Sequence, residues 1–586
     1  MKKEVLELRE KMKENGIDVY FVPSGDYHSS EYVNDFFKAR EFMSGLTGES
    51  GELIVNAEGA YLWTDGRYFL QAETQLAGSE IELMRMAEPG VPTVEEFLED
   101  LAKKNGGYTL GFDGQIVNGA RGEALKALLE PYGVTMKYDK DLVGEVWTNR
   151  PAIQPSKIYE LSQDIVGLSA DEKIAEIREI MRENRADYLL ISDLMESAWL
   201  FNLRGADIDY TPVFFGYTLL SQDDVTLYVM DGALDEMPED LSYVNLKKYD
   251  EIAGDLAKLP AGKTLWLDEN TANYALCLNV AEGVTLQNRE TPIAIMKAVK
   301  NDTEIDATLN AHVKDGIAMV NFIYWLKQNR GKIEMTELST GDYLWNCRKE
   351  QGAFDLSFET ISGYGPNGAI IHYAPTEETN AKVEPKSFLL VDSGGHYEDG
   401  TTDITRTIAM GPLTQEEKDD YTYVLKSHIA MATAVLTPDM NGIDLDRITR
   451  QPMRDAGLDF KHGLSHGIGH LLSVHEGPNI LRRVPTPIQL LPGMVMSDEP
   501  GVYIDHKFGV RIENEVLLYQ NELGNTAFQS ITYCPYEPEA INVALLSDEE
   551  IDWLNAYNME LRETLTPYLD EDVAKWLIDE TKPISR

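Results

Sequence analysis

At 586 residues, with 43% apolar and 9% aromatic residues, the chain is too long for one ordinary core and suited to several globular domains. Its formal charge of −47 argues against nucleic-acid binding, which needs basic surface, and suits either solubility or cationic ligands. Three scattered cysteines, Cys277, Cys347 and Cys534, exclude a disulfide scaffold or thiolate zinc site and fit a reducing cytoplasm, and the absence of an eighteen-residue apolar run argues against a membrane span.

The opening MKKEVLELREKMKENGIDVYF is charged and lacks the apolar stretch of a secretory signal; Val5, Leu8 and Met12 predict an amphipathic helix. ENGIDVYFVPS (14–24) is echoed by ENRADYLLISD (183–193), and FMSGLTG (42–48) by WLFNLRG (199–205), each a helix end followed by a short apolar strand. Two copies cannot form a solenoid, so the echo predicts two related α/β units. Trp147 to Lys157, with Pro151 and Pro155, reads as the linker between them, and a second boundary falls near 285–302. The expected domains are therefore 1–155, 156–298 and 299–586, the last ending in a helical extension from about 535 with Trp553, Leu554 and Trp576 as packing residues. Thr303 to Leu326 predicts a long amphipathic helix with Ile305, Leu309, Val313, Ile317, Val320 and Tyr324 along one face and Asp302 or Thr303 as its cap. SFLLVD, DITRTIAM, MVMSDEP and GVRIENEVLL read as strands.

Nine of the ten histidines lie between 312 and 506, four of them within 462–475. Around them stand four carboxylates in strand context. Asp392 ends SFLLVD, where a bare carboxylate is costly unless paired or holding a cation. Asp403 follows a turn-rich stretch, and a hairpin there, with a bulge near Asp399-Gly400, would bring it level with Asp392. Glu499 follows MVMS and precedes a Pro-Gly turn; Glu513 lies in GVRIENEV, facing away from Ile512 if Val510, Ile512 and Val516 alternate. A lone Asp or Glu is usually a turn, cap or solvated residue. Asp392, Asp403, His466, Glu499 and Glu513 together suit two hard or borderline divalent cations of a hydrolase.

GPNGAIIHYAP (365–375), LLVDSGGHYEDGTTDITRT (389–407), HGLSHGIGH (462–470), VHEGP (474–478), SDEPGVY (497–503) and GVRIENEV (509–516) closely resemble aminopeptidase P, the Xaa-Pro aminopeptidase of the pita-bread metallopeptidases. WTDGRYFLQA (63–72) and FNLRG (201–205) resemble its long, three-domain form. The resemblance implies an α/β (α+β) fold: a pita-bread catalytic domain, a curved antiparallel sheet covered by helices, behind two smaller α/β domains. It implies release of an N-terminal residue preceding proline, by a hydroxide bridging two metal ions, with Mn(II) expected and Co(II) or Zn(II) as possible substitutes, in a cytoplasmic homodimer. Asp392 then corresponds to a terminal ligand of one metal, Asp403 and Glu513 to bridging ligands, and His466 and Glu499 to ligands of the other, with Glu499 also moving a proton. His372 corresponds to a substrate-holding residue, His462 to one lining the prolyl side, His475 to a donor toward the scissile carbonyl, and Arg67 to a substrate contact from the N-terminal domain. Arg511 is expected either beside the site carboxylates or in a strand salt bridge, His470 in polar packing, and Arg204 in an interdomain ion pair or at the cleft. His28, His312, His396, His428 and His506 read as structural or surface residues.

Three alternatives share parts of this pattern. A prolidase would have the same ligands but cut dipeptides; the long N-terminal half argues against it. A non-catalytic binding protein on the same scaffold would lack ligands that are all present here. A two-metal phosphatase would need a basic or Gly-rich phosphate loop, and GYGPNGA (363–369) has no accompanying lysine.

Overall fold

The first helix, Lys3–Asn15, buries Val5, Leu8 and Met12, and Gly16 ends it in the left-handed conformation at φ 60° in the computed structural model of the chain. The structure describes residues 2–234, 237–238, 241, 243–484 and 486–586. They form two units, one of residues 1–161 and 168–294, the other of residues 162–167 and 295–586.

The first unit holds two six-stranded mixed sheets. In the first, Val19–Pro23 pairs antiparallel with Glu52–Asn56 and parallel with Thr109–Gly111; in the second, Tyr188–Ile191 pairs antiparallel with Gly216–Ser221 and parallel with Thr264–Leu267. Both sheets place their strands in the same order, fourth-third-second-first-fifth-sixth, with the same directions. The echoed sequences occupy equivalent places: each supplies the first strand, followed by a helix (Ala39–Ser44 and Leu194–Leu200). No regular element lies between Trp147 and Lys157, as its prolines predict.

In the second unit the long helix runs from Asp302 to Asn329 and is capped by Asn301, whose side chain accepts from the amides of Thr303 and Glu304. Neither Asp302 nor Thr303 is the cap. Its expected apolar face holds over the second half, where Ile317 and Val320 are buried in one apolar cluster and Val313 and Tyr324 are half-buried against it; Ile305 and Leu309 are half-buried, and Glu304, Thr308, His312 and Asp315 are inside as well. The helix serves two apolar clusters, one through Ile317 and Val320 and one through Ala318, Met319, Phe322 and Leu326. Polar groups fill the rest of its circumference.

Against it lie two sheets. Phe388–Ser393 is flanked by Ile361–Tyr364 and Ile404–Ala409, with Asp392 opposite Thr405. The other sheet contains Ser465–Gly467, Val495–Asp498 and Asn514–Gln520, with Met496 opposite Val516. The expected hairpin between Asp392 and Asp403 is built differently. Residues 395–397 and 400–401 turn within a small separate sheet, so Asp403 precedes the returning strand. GVRIENEVLL is likewise not one alternating strand. Phe508–Arg511 and Asn514–Gln520 belong to different sheets, joined through Ile512 and Glu513, and all residues from 508 to 518 are buried. Burial on both faces removes the polar/apolar contrast on which alternation depends. The terminal helices Asp548–Leu565 and Glu571–Glu580 pack on the same core through Leu554, Leu561 and Leu577, with Trp553 and Trp576 at its edge.

Glycines let backbone meet backbone beside these strands. The 365–369 turn lies against the 508–511 strand so closely that a Cβ on Gly509 would collide with the carbonyl of Gly368. Gly509→Ala is therefore expected to cost about 2–3 kcal/mol, as overpacking does. Calorimetric unfolding should show a lowered midpoint for the transition of this unit, and an unchanged midpoint would contradict the close approach.

Candidate active site

Asp403, His466 and Glu513 come from three separate segments, yet one ligand atom from each lies within 4.8 Å of the other two. The junctions just described bring them there: Asp403 before one strand, Glu513 at the switch between two sheets, His466 within the 465–467 strand. His466 Nδ1 stands 3.0 Å from the carbonyl of Gly467, which can only accept, so Nδ1 carries the hydrogen. Its Nε2 faces Asp403 Oδ2 at 3.4 Å and Glu499 Oε1 at 3.5 Å, placed either to carry a second proton toward those carboxylates or to share a cation with them.

Asp392 joins through Arg511. The guanidinium donates from Nη2 to Asp392 Oδ2 at 2.6 Å, from Nε to Thr405 Oγ1 at 3.2 Å, and from Nη1 to the Tyr503 hydroxyl at 2.8 Å. Thr405 in turn donates to Glu513 Oε2 at 2.7 Å. Tyr503 continues the chain to His462 Nε2 at 2.8 Å, while His462 Nδ1 donates to the carbonyl of Gly463 at 2.6 Å. This tautomer makes Nε2 an acceptor and Tyr503 the donor. Arg511 therefore touches one carboxylate directly, a second through a hydroxyl, and the imidazole of His462 through a phenol. Tyr503 and Thr405 carry this network but were given no role on sequence grounds, although both lie inside recognised segments.

Glu499 Oε2 faces His462 Nδ1 at 3.7 Å, so this carboxylate stands between His462 and His466. The ring of His475 meets that of His466 edge-on at 4.4 Å between centroids. His372 is half-buried just beyond the 365–369 turn. Arg67 belongs to the first unit, where Asp65 accepts from its Nε and Nη2 at 2.9 and 2.8 Å. Arg204, also in that unit, is buried and donates to the carbonyls of Ala198 and Leu203. His470 is buried between Thr308 Oγ1 and the carbonyl of Ile165.

The electrostatics call for cations. Burial first, then the charges of Asp392 and Glu515, holds the Asp403 carboxyl well above its ordinary value. Burial and then Asp403, Asp392 and Glu499 do the same to Glu513, and Glu499 is pushed up to about 7, chiefly by burial. Oδ1 of Asp392 and Oδ1 of Asp403 are buried with no hydrogen-bond partner. Carboxylate oxygens with one imidazole nitrogen form a donor set for hard or borderline divalent ions, and the residues fit such a group.

These raised values have a definite sign. In the metal-free protein the stability they contribute is complete below about pH 4 and is lost as pH rises through the folded values, near 7 for Glu499. Bound cations need the carboxylates ionised, so binding must expel protons. Calorimetric titration with Mn(II) at about pH 6, in buffers of different ionisation enthalpy, should show net proton release, and thermal stabilisation by the ion should grow toward about pH 8. Zero release would contradict the raised values.

The sequence pattern of metallopeptidase family M24 matches residues 306–520, and that of its C-terminal region matches residues 525–584. The creatinase/prolidase N-terminal domain matches twice, over residues 5–138 and 149–304. A protein of Sordaria macrospora called a probable Xaa-Pro aminopeptidase P is 38% identical over 98% of each chain. Aminopeptidase P2 of Arabidopsis thaliana is 36% identical over 97% of this chain and 86% of its own. The crystal structure of X-prolyl aminopeptidase from Caenorhabditis elegans, described as a cytosolic enzyme with a di-nuclear active site, superposes with a TM-score of 0.94 at 31% identity over 99% of both chains. Xaa-Pro dipeptidase from Bacillus anthracis, 25% identical with a TM-score of 0.51, covers 63% of this chain.

Proposed function

The chain belongs to metallopeptidase family M24, and on that footing we propose that it hydrolyses the bond between an N-terminal residue and a following proline, as an Xaa-Pro aminopeptidase. The observation that carries the reading is the meeting of Asp403, His466 and Glu513 from three distant segments, with Glu499 and Asp392 beside them, in a pita-bread domain. Likeness over nearly the full length to proteins named Xaa-Pro or X-prolyl aminopeptidase favours the aminopeptidase over a prolidase.

Asp392, Asp403, Glu513, His466 and Glu499 would hold two divalent metal ions, Mn(II) being the best match to so oxygen-rich a set. When bound, such ions supply Lewis acidity and an acidified water molecule. The chain's own groups do the rest. Glu499, standing between His462 and His466, takes the proton of the attacking water and returns it to the proline nitrogen as the C–N bond breaks. His475, against His466, donates to the carbonyl oxygen as it gains charge. His462 is held rigidly by Gly463 and Tyr503, with Phe460 at 4.7 Å, and offers a flat wall to the locked proline ring. His372 holds the substrate, while Arg511 fixes Asp392.

The domain reading 1–155, 156–298 and 299–586 is supported by the repeated sheet and by the paired creatinase-type matches. A cytoplasmic site of action is supported by the description of the Caenorhabditis elegans enzyme; no helix among the described residues is long and apolar enough to cross a membrane. A homodimer is supported by the long-form resemblance.

The test is release of the first residue from Arg-Pro-Pro and Arg-Ala-Ala with and without Mn(II). Release should need both proline and metal; equal cleavage of the two peptides refutes the specificity, and turnover confined to Xaa-Pro dipeptides makes the chain a prolidase. Asp403→Asn should reduce kcat by more than the ~100-fold upper limit usual for groups outside the ligand shell. His475→Ala should reduce it about 100–1,000-fold with little change in KM.

A further inference from the structure

Glu515 is a fifth carboxylate in this interior, two residues past Glu513 and fully buried. Its Oε1 accepts the backbone N–H of Asp403 at 2.7 Å. Its Oε2 faces His312 Nε2 at 3.2 Å, and His312 Nδ1 stands 2.8 Å from the Thr308 carbonyl one turn back on the long helix. Nε2 and Oε2 stand at ion-pair distance without hydrogen-bond alignment, and the Glu515 carboxylate holds the imidazole above its ordinary value against the lowering effect of burial, so the two make a buried charge pair. The base of Glu515 is fixed as well: its amide donates to Thr532 Oγ1 at 2.8 Å and its carbonyl accepts from Ile531.

Asp403 needs such support. It lies in the step between residues 400–401 and the 404–409 strand, outside either strand. Its amide is tied to a side chain of the very strand that begins after Glu513, while the Glu513 amide donates to the Thr405 carbonyl at 3.1 Å. The two segments are thus cross-linked on either side of the paired carboxylates. We infer that Glu515, held by His312, is a positioning residue that sets the Asp403 carboxylate against Glu513 at the spacing two divalent ions require. The inference rests on the two-metal reading above and extends it to residues outside the ligand set.

The test compares Glu515→Ala with Glu515→Gln, which keeps an acceptor oxygen. Mn(II) affinity is measured by chelator competition, together with kcat and KM on Arg-Pro-Pro and the melting temperature of the metal-free protein. Glu515→Ala is expected to weaken binding of one ion by about 10–100-fold and to lower kcat, with KM within about 3-fold, whereas Glu515→Gln should stay within about 3-fold of the parent in affinity. His312→Ala, which releases the far oxygen of Glu515, should weaken the same ion about 10-fold, and His312→Gln should restore most of the loss. This second pair decides the matter should Glu515→Ala fail to fold. A parent protein that binds no Mn(II) overturns both readings. A parent that binds two ions, with variants of unchanged affinity, overturns the positioning role alone.

Discussion

The site depends on keeping Asp392, Asp403, Glu499 and Glu513 together where water cannot screen them. Burial first, and then repulsion from neighbouring carboxylates, raises Asp403, Glu499 and Glu513. Arg511 is the permanent cation set among them, reaching Asp392 directly and Glu513 through Thr405. One positive charge cannot balance four negative ones, so the pocket is arranged for cations it does not itself provide. Removing one partner of a buried ion pair costs about 3–5 kcal/mol, because the other charge is stranded.

The same contacts join the sheet of the 404–409 strand to those of the 508–511 and 514–520 strands. Thr407 Oγ1 donates to the carbonyl of Arg511, Arg406 donates to the Glu513 carbonyl and to Asn514, and Asp403 donates to Glu515. Each bond runs from the 403–407 segment to the 511–515 segment. The spacing of the site carboxylates is consequently a property of how the sheets meet, and not of any one loop. Such a junction holds ligands more rigidly than loops could, which is what a hydrolytic site needs if ions are to arrive at a prepared place.

Much of this was legible in the sequence where a pattern had one physical cause. The echo between 14–24 and 183–193 became two sheets of identical strand order because equivalent apolar strands must pair in equivalent ways. SFLLVD, MVMS and the terminal helices were readable from local apolar runs. Errors arose where both faces of an element are buried. GVRIENEV seemed to alternate, but Arg511, Glu513 and Glu515 are as enclosed as Val510, Ile512 and Val516. Tyr503 and Glu515 went unassigned for a related reason: a Tyr after Pro-Gly-Val, or a Glu beside a candidate ligand, is unremarkable until its partner from a distant segment is known. His312 read as structural because nothing local links it to a residue two hundred positions away.

The long helix 302–329 makes the general point. Its apolar residues suggested a surface helix with one stripe inward, yet its polar residues perform the joining. Asp315 accepts from Arg348 and from the hydroxyl of Tyr397, each at 2.8 Å, tying the helix to the 337–350 helix and to the 395–397 strand. One turn back, His312 faces Glu515 and so reaches the other sheet. A polar group inside a protein must have a partner, and partners fixed in direction locate the elements that bear them more sharply than apolar contact does. This helix thus registers the small 395–401 sheet and the sheet of Glu515 against one axis through two buried charged pairs, and Asp403, which lies between residues 401 and 404, inherits its position from them.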